Sequence, residues 1–184
     1  VIGLIATADD ADAAYFPLNV PVLVTKISEA QGKAGASGTL SRVLRDIADQ
    51  VKPTLVIVRV AEGGKTLAAL PPTATEQEKK DAAAADLAGQ LAHTIGSNVD
   101  GAYTGIYSLL TAESVAGAKP KILGAPYLDQ DAAAQVLVAV AKQLHAMAYF
   151  ELHTQGVSAT LIAGEAFGDR EAMPIYGRFT RFDV

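Results

Sequence analysis

The segment Thr54-Leu-Val-Ile-Val-Arg-Val60 is an almost unbroken apolar, β-branched run. A strand exposed on one face alternates polar and apolar residues, and this one does not. Such a run fits a strand covered on both faces, which is the setting of a parallel sheet flanked by helices. The segment therefore sets the frame for the rest of the chain.

Other stretches fall into that frame. VIGLIATA (1–8) and PVLVTKI (21–27) read as strands, with Pro21 at a strand start where a missing N–H does least harm. DDADAAYF (9–16) reads as an acidic surface loop and QGKAGASGT (31–39) as a glycine-rich turn. Leu40, Val43, Leu44, Ile47, Ala48 and Val51 follow helical spacing, with Thr39 as N-cap and Pro53 as terminator. Residues 61–74 carry Gly63-Gly64 and Pro71-Pro72 and read as a loop. TEQEKKDAAAADLAGQLAH (75–93) reads as a helix with a weak apolar face, lying on the surface as an insertion. A turn over 97–105 and a helix over 106–117 come next, then a strand over 121–127. The helix over 129–147 has Val136, Val140, Leu144 and Met147 on one face and Asp129 or Asp131 as its cap. A strand at 148–154, a helix at 158–168 capped by Ser158, and strands at 171–177 and 178–184 complete the series. The expected fold is α/β, a mostly parallel or mixed central sheet covered by helices, forming a single compact domain over 1–184.

The search for chemistry returns mostly turns and caps. The loop Gly32-Lys33-Ala34-Gly35-Ala36-Ser37-Gly38-Thr39 has its lysine too early for a nucleotide phosphate loop, and its spacing is not G-x-G-x-x-G. It reads as a turn rather than an anion site. His93, His145 and His153 show no i, i+4 pairing, so no metal site is expected. His145 sits late in a helix, where a cation complements the dipole. Glu151 and His153 are two apart on a strand and could share a face, an arrangement more often structural than catalytic. Ser37, Ser97, Ser114 and Ser158 lack a nucleophile elbow. Asp9, Asp10 and Asp12 lack the glycine and glutamate of a calcium loop. Asp129 lies where open α/β sheets bind ligands, but a helix N-cap also needs aspartate there. The expected sites are none: no catalytic, cofactor or metal residue.

Composition excludes several classes. Fifteen basic against twenty acidic residues give a net charge of −5, with no basic stripe for nucleic acid. There is no cysteine, hence no disulfide or thiolate chemistry. No apolar run approaches the roughly 20 residues of a membrane span. The chain opens on Val1 and closes on Phe182-Asp183-Val184, which reads as a trimmed piece of something longer.

The order of segments is more specific than any one of them. VIGLIATA, FPLNVPVLVT, TLVIVRVAEG, DGAYTGIYSLLTAE, PKILGAPYLDQDA and KQLHAMAYFEL, in that sequence, resemble the contractile tail sheath family of myophages and R-type pyocins. The blocks YTGIYSLL (103–110) and PKILGAP (120–126) are the most telling, DREAMPIYGRFTRFD (169–183) resembles the family's next segment, and the segment 65–93 departs from the family and reads as a helical insertion. The resemblance implies one domain of a larger multidomain structural subunit, with no enzyme activity and no cofactor. It implies hexameric rings stacked around a tail tube in a virion tail or prophage-derived particle, made in the bacterial host cytoplasm. The partners it implies are other sheath subunits and the tube protein, with this piece alone a monomer. The alternative is a small α/β enzyme or nucleotide-binding domain using the 124–131 strand-to-helix turn. A regulatory binding module would need a Met- or aromatic-rich stripe that the sequence does not supply.

Overall fold

A computed structural model describes residues 1–154 and 157–177. Its elements, in chain order, are β1 (Ile2–Thr7), β2 (Pro21–Val24), α1 (Ile27–Lys33), α2 (Leu40–Gln50), β3 (Leu55–Val60), α3 (Thr66–Ala69), α4 (Glu76–Ile95), β4 (Asn98–Val99) and β5 (Ala102–Tyr103). A 3₁₀ helix (Gly105–Thr111) runs into α5 (Ala112–Ala116), followed by β6 (Ile122–Gly124), α6 (Asp131–Leu144), β7 (Met147–Glu151), α7 (Val157–Glu165) and β8 (Ala172–Ile175). The main sheet has six strands in the order β2-β3-β1-β6-β7-β8. All neighbours pair parallel except β2, which runs antiparallel to β3 at one edge. The sheet is thus mixed but mostly parallel, as the 54–60 run requires.

Every residue of β3 is buried, and alternate side chains serve two different cores. Val56, Val58 and Val60 join Ile5, the 3₁₀ helix and α6 on one face. Leu55 and Ile57 join Leu4, Ala6, Phe16, Leu40 and Leu44 under α1 and α2 on the other. Full burial of a branched side chain of this size contributes about 1.5–3 kcal/mol, so β3 alone anchors both layers. Aromatic residues are few but buried, with Phe16 in the second core and Phe150 in the first. In the first core Phe150 and Phe167 have ring centres 4.5 Å apart.

Several local expectations shift. Strand β2 stops at Val24, and a short helix, α1, occupies part of what reads as turn; it buries only Ile27 and Ala30. Thr39 flanks α2 with helical backbone angles and gives it no side-chain cap. The segment 61–74 contains the single-turn α3, and 97–105 holds a two-stranded hairpin. The expected helix over 106–117 begins as a 3₁₀ helix, and only its last turn is α. Helix α6 spans 131–144; its buried residues are Ala133, Ala134, Leu137, Val138, Val140, Ala141 and Leu144, while Met147 opens β7. The small residues shift the buried face by letting α6 approach the sheet along alanine. Helix α7 begins at Val157, which places Ser158 inside it. The strand expected over 178–184 lies outside the described residues.

Candidate functional site

In open α/β sheets a ligand crevice forms at the carboxyl ends of the strands where the strand order reverses. Here the chain leaves β1 toward β3 on one side and returns to β6 on the other, so the reversal lies between β1 and β6. That position is filled by the chain itself. Thr7, the last residue of β1, donates its amide to Thr39 Oγ1 at 3.0 Å, and Thr39 donates its amide to Thr7 Oγ1 at 3.1 Å. The backbone of Gly38 approaches Thr7 so closely that a Cβ there would overlap the Thr7 carbonyl. Across the gap, Arg42 from the first turn of α2 stacks over the ring of Tyr127, just beyond β6, at 5.0 Å. The start of α2 therefore bridges both lips of the crevice. Tyr127 holds a left-handed backbone at φ 66° to place its ring there.

Asp129 is neither a cap nor an isolated carboxylate. Its side chain is 8% exposed. Oδ2 accepts the Glu151 amide at 2.7 Å, and Oδ1 lies 3.4 Å from His153 Nε2. The residue flanking α6 is Gln130, which makes no side-chain cap bond, and Asp131 is the first helical residue. Asp129 instead ties the β6–α6 loop to the end of β7, 22 residues away. The aspartate, not Glu151, is the partner of His153, because β7 ends at Glu151 and strand alternation does not extend further. The adjoining depression, about 280 Å³, is lined by Leu91, Gln130, Asp131, Ala132 and His153. That lining offers the pair no hydroxyl or thiol to activate. Asp129→Ala leaves the Glu151 amide without its acceptor, and a loss of about 2 kcal/mol in urea unfolding is expected.

The other candidates are separated. His93 lines a cleft with Asn19, Ser97 and Thr104. His145 ends α6 in a left-handed conformation at φ 51°. The cation serving that helix end is Lys121, whose Nζ lies 3.4 and 3.3 Å from the carbonyls of Leu144 and His145. Among the described residues no group of three His, Asp or Glu is placed to hold a metal ion. Ser97 bonds Thr104, and Ser114 bonds the Thr111 carbonyl.

The acidic loop is also engaged internally. Asp12 pairs with Lys33 at 2.9 Å, and Asp9 lies 3.3 Å from Lys65 and accepts the Glu62 amide. Asp10 accepts the amides of Ala36 and Ser37 and the Ser37 hydroxyl. The Ser37 hydroxyl, followed by those amides, brings the Asp10 carboxyl down to about 2. The bond from Lys33 lowers Asp12 as well. A carboxylate held below its unfolded value contributes stability above the ordinary carboxylate range and loses it as pH falls through the folded value. Stability is therefore expected to decline from about pH 4 toward pH 2, and the decline should be shallower in Asp10→Asn. Urea midpoints at pH 7, 4 and 3 for both proteins check this.

Sequence reasoning missed Arg59. It is 8% exposed, and its guanidinium donates to the carbonyls of Phe16, at 2.6 Å, and Ala8, at 2.9 Å. Its only sequence signal is one basic residue interrupting an apolar run.

Fold and site together define an α/β scaffold domain whose ligand crevice is closed by its own side chains. Residues 1–60 match the family described as tail sheath protein Gp18 domain III, N-terminal region. Over its whole length the chain is 39% identical to the tail sheath protein of Escherichia phage P2 and 40% identical to the major tail sheath protein of Serratia phage KSP20. The chain belongs to the phage tail sheath family. It spans 43% and 42% of the length of those two relatives.

Proposed function

We propose that this chain is the α/β body of a structural subunit of a contractile tail sheath. In the complete polypeptide that subunit stacks as hexameric rings around a tail tube, and its rings rotate and compress to drive the tube into a target cell. The single observation carrying this reading is the 39–40% identity to two tail sheath proteins along the entire chain. The closed crevice agrees with it, since a scaffold needs rigid packing rather than an open cleft. Among the described residues no helix is long and apolar enough to cross a membrane.

In this reading the protein is not an enzyme, binds no cofactor and no nucleic acid, and functions in the virion tail after synthesis in the host cytoplasm. The body alone is a monomer. The 65–93 segment is a helical insertion carried on its outside; Asp86 ties its two helices together by accepting the amides of Thr66 and Leu67, and Gln90 fastens it to the residues after β3 by accepting the Gly63 amide and donating to the Ala61 carbonyl. Leu87, 54% exposed on α4, is expected to tolerate Leu87→Ser within about 0.5 kcal/mol. Negative-stain microscopy of the complete subunit tests the assembly claim. Rings or tubes are the expected result, and monomers at every salt concentration would oppose it.

A further inference from the structure

The two faces of the sheet are covered unequally. Register shows which side chains share a face. Ile2 pairs with Ile122 and Ile122 with Met147; further along, Gly124 pairs with Tyr149, Tyr149 with Met173, and Glu151 with Ile175. Ile2 packs on the core beneath α1 and α2, so these rows face the same side. Over β1 and β3 that side is closed, and Leu4, Ala6, Leu55 and Ile57 are buried. Over β6, β7 and β8 it is open. Ile122, Tyr149 and Met173 are 40%, 37% and 42% exposed, whereas Leu123, Ala148 and Phe150, on the opposite face of β6 and β7, are buried. Helix α2 reaches toward this half only through Arg42, which stacks on Tyr127 just beyond β6. Strands β6, β7 and β8 run parallel, and parallel strands are ordinarily covered on both faces. This half of the sheet lacks one of its two layers.

We propose that this half-face is a docking surface for polypeptide that follows residue 184 in the complete subunit. That segment lays apolar side chains across Ile122, Tyr149 and Met173, as α1 and α2 do across the other half. The proposal rests on membership of the sheath family and not on ring formation. Two observations select this occupant. The chain spans 43% and 42% of the two sheath relatives, so a subunit of their size has more residues outside this chain than within it. Strand β8 is the last described strand and the outer strand of this half, so chain continuing from it emerges beside the open face. A second copy lacks the area it needs. Strands of three, five and four residues present on the order of 200 Å² at ordinary strand spacing, against about 800 Å² per partner in a stable interface. A tethered segment needs no such area, because the linkage supplies a high effective concentration.

The test places photoreactive benzoylphenylalanine at position 149, and separately at position 173, of the complete polypeptide. Isotopically light and heavy chains are mixed before illumination, and the cross-linked peptides are identified by mass spectrometry. The expected product joins position 149 or 173 to a residue beyond 184, with both peptides from the same isotopic chain. Mixed light–heavy products would show a second copy on the face, and products with another protein would show a foreign partner; either overturns the proposal. So does a variant that folds and cross-links only within residues 1–184 or not at all. If neither variant folds, oxidation of Met173 by hydroxyl radicals in the unaltered, unassembled polypeptide is the readout. Oxidation several-fold slower than that of free methionine supports the cover, and oxidation at the free rate overturns it. Neither readout requires rings. A polypeptide that stays monomeric but cross-links within itself opposes the assembly reading alone, and rings that cross-link only between chains oppose this inference alone.

Discussion

Replacing Arg59 with methionine is expected to lower the unfolding free energy by about 3 kcal/mol, or roughly 6–12 °C in melting temperature. Methionine keeps most of the apolar stem and removes the guanidinium donors. The carbonyls of Ala8 and Phe16 then lose the partners that lie 2.9 and 2.6 Å away. An unsatisfied buried carbonyl carries its desolvation penalty in full; the Phe16 carbonyl loses this charged donor outright, while that of Ala8 is left with only a long bond from the Ala11 amide at 3.4 Å. The segment between them, 8–16, is held to β3 by this side chain together with the burial of Ala8, Ala11 and Phe16 against Leu55 and Ile57; Asn19 adds a further tie by donating its amide to the Arg59 carbonyl at 2.8 Å. Hydrogen exchange should therefore rise first around Phe16. A loss under about 1 kcal/mol would mean that the guanidinium does not organise this loop.

Gly38→Ala is expected to cost about 3 kcal/mol or more. Gly38 sits at φ 70°, a left-handed conformation that L side chains rarely adopt, and its Cβ would overlap the Thr7 backbone. Relief of that clash must separate Thr7 from Thr39, which breaks the reciprocal bonds closing the crevice. Gly32→Ala is the control. It lies within α1, and a methyl group placed on it would meet nothing within 4 Å, so the change should be neutral or stabilising by up to about 1 kcal/mol. Chemical unfolding of the two variants in parallel separates the close approach at Gly38 from any general intolerance of the loop.

The layer plan is readable in the sequence because it depends on local spacing. The run at 54–60 gives a doubly covered strand, and the spacing of Leu40, Val43 and Leu44 gives the helix over it. Helix α1 escapes notice because two buried residues are too few to establish a period. The polar ties escape for a different reason. Asp10 to Ser37, Thr7 to Thr39, Asp129 to Glu151 and Arg59 to Ala8 join residues 22 to 51 positions apart. Aspartate before a helix has a local explanation as a cap, and threonine beside a helix start has the same one. In both cases a tertiary partner outcompetes the cap, and no spacing rule signals it. The expectation of no assembled site rests on a lack of motifs; what the fold adds is that Thr7, Thr39, Asp10, Ser37 and Asp129 are engaged in internal hydrogen bonds.

The central claim is that a self-satisfied α/β body forms the rigid part of a sheath subunit. Its most direct test is electron cryomicroscopy of particles assembled from the complete polypeptide, in extended and contracted forms. The predicted result is rings of six subunits, each with the sheet order β2-β3-β1-β6-β7-β8. The Thr7–Thr39 and Arg59–Phe16 contacts should be the same in both forms, with motion confined to the placement of whole bodies. Failure to assemble, or a sheet rebuilt between the two forms, would contradict it.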